Sequence, residues 1–141
     1  WVCSALQSLS QVLRRRGDLE GARRICATAL SILDKVQVDQ RVYVQADIDY
    51  ELGKIERDAQ NNDAALQHFT AAQRVFRHDD EKPVFNVEFA WGLLSNLGEI
   101  DYRRQDLDTA LRYYLQCLET YRETGGKGDI TTLLVRLAAL E

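Results

Sequence analysis

Apolar residues recur at helical spacing along most of the chain. Leu19, Ala22, Cys26, Ala29, Leu30 and Leu33 fall on one side of a 3.6-residue helix, as do Leu107, Ala110, Tyr114, Cys117, Leu118 and Tyr121. Comparable stripes precede them: Leu6, Leu9 and Leu13, then Ile48, Leu52 and Ile55, then Ala90, Leu94, Leu97 and Ile100. The polar segments RRGDLE, DAQNND and RRQDLD separate paired stripes and are short enough to force antiparallel packing. Asp18, Asn62 and Asp106 are expected to accept the first free amides of each second helix. The pattern thus predicts an all-α chain of helical hairpins. HDDEKP around Pro83 and TGGKGD around Gly125, Gly126 and Gly128 should interrupt the helices. Beyond them, Ile130, Leu133, Leu134, Leu137 and Leu140 mark a final apolar helix, either a cap or the start of a fourth copy.

Self-comparison shows why the stripes pair. LSQVLRRRGDLEGA, LGKIERDAQNNDAA and LGEIDYRRQDLDTA run from Leu9 to Ala22, Leu52 to Ala65 and Leu97 to Ala110, each leucine and alanine thirteen apart. Four residues after each alanine stands Cys26, Phe69 or Tyr114, and three later Ala29, Ala72 or Cys117. Repeats of tens of residues mark stacked architectures, because one such unit cannot bury its apolar face alone. We place the copies at about 1–37, 41–78 and 83–124, with a terminal helix at about 129–141, all within one repeat domain spanning 1–141. The chain begins at Trp1, inside an apolar-periodic stretch, and contains no methionine, which reads as a piece of a longer protein.

A leucine and a small residue, a short turn, an alanine thirteen residues on, then a bulky and another small residue: this pattern resembles the tetratricopeptide repeat over residues 4–121. Leu52-Gly53 and Leu97-Gly98 match its leucine–glycine pair, Ser10 replaces the glycine in the first copy, and Gly17-Asp18-Leu19 matches its turn. The spacing of about 44 residues exceeds the usual value of about 34 and is similar to the long-helix branch that includes kinesin light chain repeats. Glu56 and Asp101 stand where the family often has tyrosine. The resemblance implies a right-handed superhelix of stacked antiparallel hairpins whose first helices line a concave groove. It carries the groove positions to Gln7, Gln11, Arg14 and Arg15, to Tyr50, Lys54 and Arg57, and to Asn96, Glu99, Tyr102 and Arg103, with Asp47, Glu51 and Asp58 among them. Its charge is therefore mixed rather than uniformly basic. Members that clamp a C-terminal carboxylate use lysine and asparagine where Gln7 and Gln11 stand, so an extended peptide or partner helix met by tyrosine and arginine is the better expectation. The bland alternative is a solvated face of intrahelical ion pairs.

Composition narrows the chemistry. Apolar residues make up 45% and charged residues 28% of 141, as in globular domains, and the formal charge of −4 offers no general attraction to phosphate backbones or anionic lipid. We expect no nucleic-acid or membrane partner. Cys3, Cys26 and Cys117 are odd in number and widely separated, which argues against a disulfide framework and for a reducing, cytoplasmic setting. His68 and His78 lack metal-ligand spacing, and the acidic run after His78 reads as a solvated linker. Gly126-Lys127-Gly128 lacks the glycine and the hydroxyl residue of a phosphate loop, and Arg16-Gly17-Asp18 is explained by the turn. Trp91, Phe85 and Phe89 read as packing residues. No acid–base pair, nucleophile, metal or cofactor set stands out, so the expected role is a noncatalytic scaffold for a protein or peptide. The alternative is a self-associating or signal-relaying segment of a longer regulator, such as a bacterial one.

Overall fold

The computed structural model describes residues 2–77, 87–123 and 131–140. Among them are seven α-helices and no strand: α1 (Val2–Arg15), α2 (Leu19–Ser31), α3 (Val38–Asp58), α4 (Asn62–Arg77), α5 (Val87–Arg103), α6 (Leu107–Glu123) and α7 (Thr131–Leu140). The HDDEKP and TGGKGD connectors, and the side chains of Phe85, Phe89 and Trp91, lie outside what is described.

The helices belong to two compact units, Trp1–Arg77 and His78–Glu141. In the first, α1 pairs with α2 and α3 with α4, and α3 packs on both α1 and α2. Its core joins Ala22, Cys26 and Ala29 of α2 to Ile48 and Ile55 of α3, flanked by Leu6, Leu13, Leu19, Val44 and Leu52. In the second, α5 pairs with α6, and α7 packs on α6. Ala110, Tyr114 and Cys117 form its centre, with Leu94, Tyr102, Leu118 and Leu137 around them. Adjacent helices thus pack in pairs, as the sequence predicts for a tetratricopeptide-like helical repeat.

The interval of 43 and then 45 residues seen in the sequence is repeated in the backbone. Gly17, Gln60 and Gln105 occupy the left-handed region, at φ 87°, 66° and 65°. At each, the next amide reaches back to a carbonyl five residues earlier (Asp18 to Leu13, Asn61 to Glu56, Asp106 to Asp101), while the left-handed residue's own amide bonds the carbonyl three earlier. This Schellman closure satisfies carbonyls that a helix end leaves open. Gln60 and Gln105 adopt it despite the steric cost of a Cβ, so the closure and not glycine defines the turn.

The capping residues follow the same register, with one correction. Asp18 Oδ1 accepts from the Gly21 amide at 2.9 Å and Asp106 Oδ1 lies 3.5 Å from the Thr109 amide. Asn61, not Asn62, is the corresponding residue before α4: its carbonyl takes the Ala65 amide, and Asn62 stands one position inside the helix. Asn62 matches Leu19 and Leu107, and its side-chain oxygen is buried without a hydrogen-bond donor among the described residues. Asn62→Leu should therefore stabilise the first unit by about 1–2 kcal/mol, the order of an unsatisfied buried polar group; an unchanged urea midpoint would contradict this.

Two further sequence expectations are adjusted. Leu33 lies not in α2 but in a short 3-10 turn, Leu33–Lys35, whose connector is held by Arg41 donating to the Val36 and Asp34 carbonyls. Leu30 and Leu107, read as core-facing, are 37% and 43% exposed, because they lie at the margins of stripes whose centres are alanine, cysteine and tyrosine.

Candidate functional site

Each first helix carries two apolar stripes that the sequence reading merged. Leu6, Ser10 and Leu13 face the partner within the hairpin, while Leu9 and Val12 lie on another side and are 44% and 48% exposed. Of their counterparts in α3 and α5, Ile55, Leu97 and Ile100 are fully buried and Leu52 is half-buried. The small residue after each reference leucine sets how close the paired helix comes. A Cβ on Gly53 would lie 2.5 Å from the Phe69 ring, and one on Gly98 would lie 2.7 Å from the Tyr114 ring. In the first copy Ser10 keeps its side chain, and the residue opposite is Cys26, with Oγ and Sγ 3.3 Å apart. Ring fills the space of a missing methyl group, and where the Cβ is retained the opposite residue is small.

The remaining faces of α1 and α3 bring several candidate groove residues together. Arg14 donates from Nε to Glu51 Oε1 at 2.9 Å and from Nη1 to Asp58 Oδ2 at 3.2 Å. Glu51, only 3% exposed, also receives Lys54 Nζ at 3.0 Å, and that ammonium lies 4.6 Å from the centre of the Tyr50 ring. Tyr50 in turn meets Phe69 edge to face at 5.8 Å, and Arg57 pairs with Asp58 at 3.1 Å. Burial lowers the Lys54 pKa despite Glu51, and burial raises that of Asp47. Gln7 is half-buried on α1, whereas Gln11 and Arg15 are exposed and enter none of these ion pairs.

On α5 the centre is Glu99. It accepts Arg136 of α7 through Nη2 at 2.9 Å and Nε at 3.1 Å and the Tyr114 hydroxyl at 3.2 Å, and it forms an ion pair with Arg103 at 3.6 Å. The Arg136 guanidinium also stacks 4.4 Å from the centre of Tyr102, and Asn96 donates to the Gly92 carbonyl at 2.8 Å. Arg136 was not singled out from the sequence, although a lone charge within the apolar segment TTLLVRLAAL was the available signal.

Elsewhere the polar groups tie helix to helix. Arg23 of α2 bonds Glu56 of α3 at 2.6 Å and also pairs with Glu20. Burial opposes ionisation of Glu56, but hydrogen bonds from Arg23 and Asn61 outweigh it and hold the carboxyl below its usual range. His68 faces Asp49 at 3.4 Å, and His78 lies outside the described residues. All three cysteines are buried and none is in a disulfide; burial pushes the Cys117 thiol up to about 12 and raises Cys26 as well, against its hydrogen bond with Ser10. The Cys26 and Cys117 thiols are therefore poor nucleophiles at neutral pH.

Asp101, at the register of Glu56, is 4% exposed. Burial, reinforced by Asp106 and opposed by Arg104, raises its carboxyl pKa. A carboxyl raised in the folded state binds its proton better folded than unfolded, so its contribution favours folding in acid and is lost as pH rises through the folded value. Asp101→Asn is expected to raise the melting temperature at pH 7, with the advantage closing toward about pH 4, the unfolded carboxylate value. Melts showing a pH-independent difference would refute this assignment.

Among the described residues no helix is long and apolar enough to cross a membrane, and no trio of His, Cys, Asp or Glu is gathered to hold a metal. No curated protein shows significant similarity to the chain. The profile of the family described as tetratricopeptide repeat matches residues 2–35 and 92–129, just over half of the sequence. The first match spans the α1–α2 hairpin, and the second covers most of α5 and all of α6, the hairpin in which Tyr114 fills the space over Gly98. The chain belongs to the tetratricopeptide repeat family.

Proposed function

We propose that the chain is a noncatalytic scaffold that binds an extended peptide or partner domain through the concave groove lined by its first helices. Repeats of this family are generally protein–protein interaction modules and are typically noncatalytic. The observation that carries the reading is the grouping of Arg14, Tyr50, Lys54 and Arg57 around Glu51 and Asp58 on the α1–α3 face. Side chains already held by ion pairs lose less freedom when a partner arrives, and alternating charge favours a partner whose own charges alternate. Gln7, Gln11 and Arg15 extend this surface, and in the second unit the corresponding candidates are Asn96, Glu99, Tyr102 and Arg103 of α5. The partner is protein rather than nucleic acid or membrane, no cofactor takes part, and three separated thiols suit a cytoplasmic address.

A random peptide library displayed on phage and selected on the wild-type chain tests this. Peptides recovered should lose at least tenfold in affinity for Arg57→Glu and Arg103→Glu chains that retain the native helical signal. Equal affinity for both variants, or no enriched peptide, argues against the groove.

A second reading, self-association, is favoured by one observation: Leu9 and Val12 are exposed, whereas at the same registers Ile55, Leu97 and Ile100 are fully buried and Leu52 is half-buried. Sedimentation across a dilution series separates the two, since a persistent monomer opposes it.

A further inference from the structure

The carboxylates of the α1–α3 face are not equally answered. Glu51 takes Arg14 at 2.9 Å and Lys54 at 3.0 Å, while Asp58 takes Arg14 at 3.2 Å and Arg57 at 3.1 Å. Three cations are thereby committed to the same two anions, and Asp47 is the anion left over. It stands three, four and seven residues before Tyr50, Glu51 and Lys54, the spacing that sets all four on one side of α3. It is half-buried and has no hydrogen bond or ion pair among the described residues. The charge of Lys54 reaches it, yet that ammonium is held by Glu51 and lies over the Tyr50 ring.

The neighbouring helix does not supply the missing charge. Arg14 bonds residues 37 and 44 positions ahead of it. The same offsets taken back from Asp47 fall on Cys3 and Ser10, and the segment between them, CSALQSLS, is uncharged. Arg15 stands beside Arg14 at the far end of α1, level with the Glu51–Asp58 end of α3. The face is therefore balanced at one end and anionic at the other. We infer that Asp47 sets the specificity of this face by receiving a basic side chain, lysine or arginine, of an extended peptide belonging to a partner protein, an inference that rests on the peptide-binding reading of the α1–α3 face. A half-enclosed carboxylate gains more from an arriving cation than a fully solvated one, and burial raises the Asp47 pKa against the opposing charge of Lys54. Glu51, already met from two sides, has no such demand.

The experiment selects phage-displayed random peptides on three whole chains, wild type, Asp47→Asn and Asp47→Arg, each checked by circular dichroism. Wild type should enrich lysine or arginine at one aligned position, Asp47→Asn should lose that preference, and Asp47→Arg should enrich aspartate or glutamate there. The last is a gain that a misfolded chain does not give. A synthetic peptide from the wild-type selection should bind Asp47→Asn more weakly by about tenfold or more, and the same peptide with its basic residue replaced by glutamine should bind both chains alike. The free Asp47→Asn chain should melt no lower than wild type, since nothing within the described chain uses the charge. A lower melting temperature, a wild-type consensus without a basic position, or a basic consensus retained by Asp47→Asn would each overturn the assignment. Peptides that weaken on Arg57→Glu but not on Asp47→Asn would remove Asp47 and leave the groove standing, whereas no enriched peptide on any chain would remove both. A dimer that Asp47→Asn dissociates would make a second copy the source of the cation, and would overturn the partner.

Discussion

Phe69→Ala is expected to destabilise the first unit by about 3–5 kcal/mol, the range for removing a buried aromatic ring. Phe69 is fully buried, meets Tyr50 edge to face, and occupies the volume that a Cβ on Gly53 would claim. Its loss leaves a void at the Gly53 contact between α3 and α4, and glycine has no side chain with which to fill it. A size exchange gives the sharper measurement. Gly53→Ala alone should cost about 1–3 kcal/mol by overpacking, and Gly53→Ala combined with Phe69→Cys, which copies the pairing of a Cβ-bearing residue with Cys26, should cost less than the sum of the two single changes. Urea denaturation followed by circular dichroism supplies the cycle. Strict additivity would show that ring and glycine are not volume partners.

Glu51→Gln carries the second large effect. Glu51 is the buried carboxylate between Arg14 and Lys54, whose side chains are only 10% and 16% exposed. Removing its charge leaves two half-enclosed cations facing each other, and breaking a buried pair from one side costs about 3–5 kcal/mol. Asp58, which still holds Arg14, draws the expected value to the lower end. The sign of the pH response follows from Lys54. Burial already lowers its pKa, so the folded state binds fewer protons than the unfolded one and this group favours folding increasingly as pH rises. Without Glu51 the lowering deepens, and the deficit of Glu51→Gln should shrink between pH 7 and 10 as Lys54 loses its proton. A deficit below about 1 kcal/mol at pH 7, the scale of an exposed pair, would mean that this junction is solvated.

The hairpins were legible because they depend on spacing. The thirteen-residue interval from Leu9, Leu52 and Leu97 to their alanines reports which residues lie across from one another, and the structure places Cys26, Phe69 and Tyr114 over Ser10, Gly53 and Gly98 accordingly. The left-handed turns at Gln60 and Gln105 were not legible, since neither residue favours that conformation and only the hydrogen-bond closure compels it. Asn62 misled for a related reason: it is a good cap by residue type, yet the Leu19–Leu107 register puts it inside the helix. Of the groove candidates, Arg14, Tyr50, Lys54 and Arg57 meet through Glu51 and Asp58, but periodicity alone could not reveal that Glu51 is buried, because charged residues on first helices carry the same spacing whether solvated or enclosed. The place of α7 was not legible, because the contacts of Arg136 with Glu99 and of Leu137 with the Ala110–Tyr114–Cys117 cluster join residues far apart in the sequence.

At the α1–α3 junction the earlier helix brings the cation, Arg14, and the later one the anion, Glu51; at the α5–α7 junction the earlier helix brings the anion, Glu99, and the later one the cation, Arg136. Grafting α7 behind the first hairpin would set arginine against arginine, and grafting α3 behind the third would bring Glu51 toward Glu99, with Lys54 and Arg103 offsetting part of that repulsion. The opposed polarities act as a shuffling barrier at these two seams: exchanging α3 and α7 replaces an attraction by a like-charge encounter.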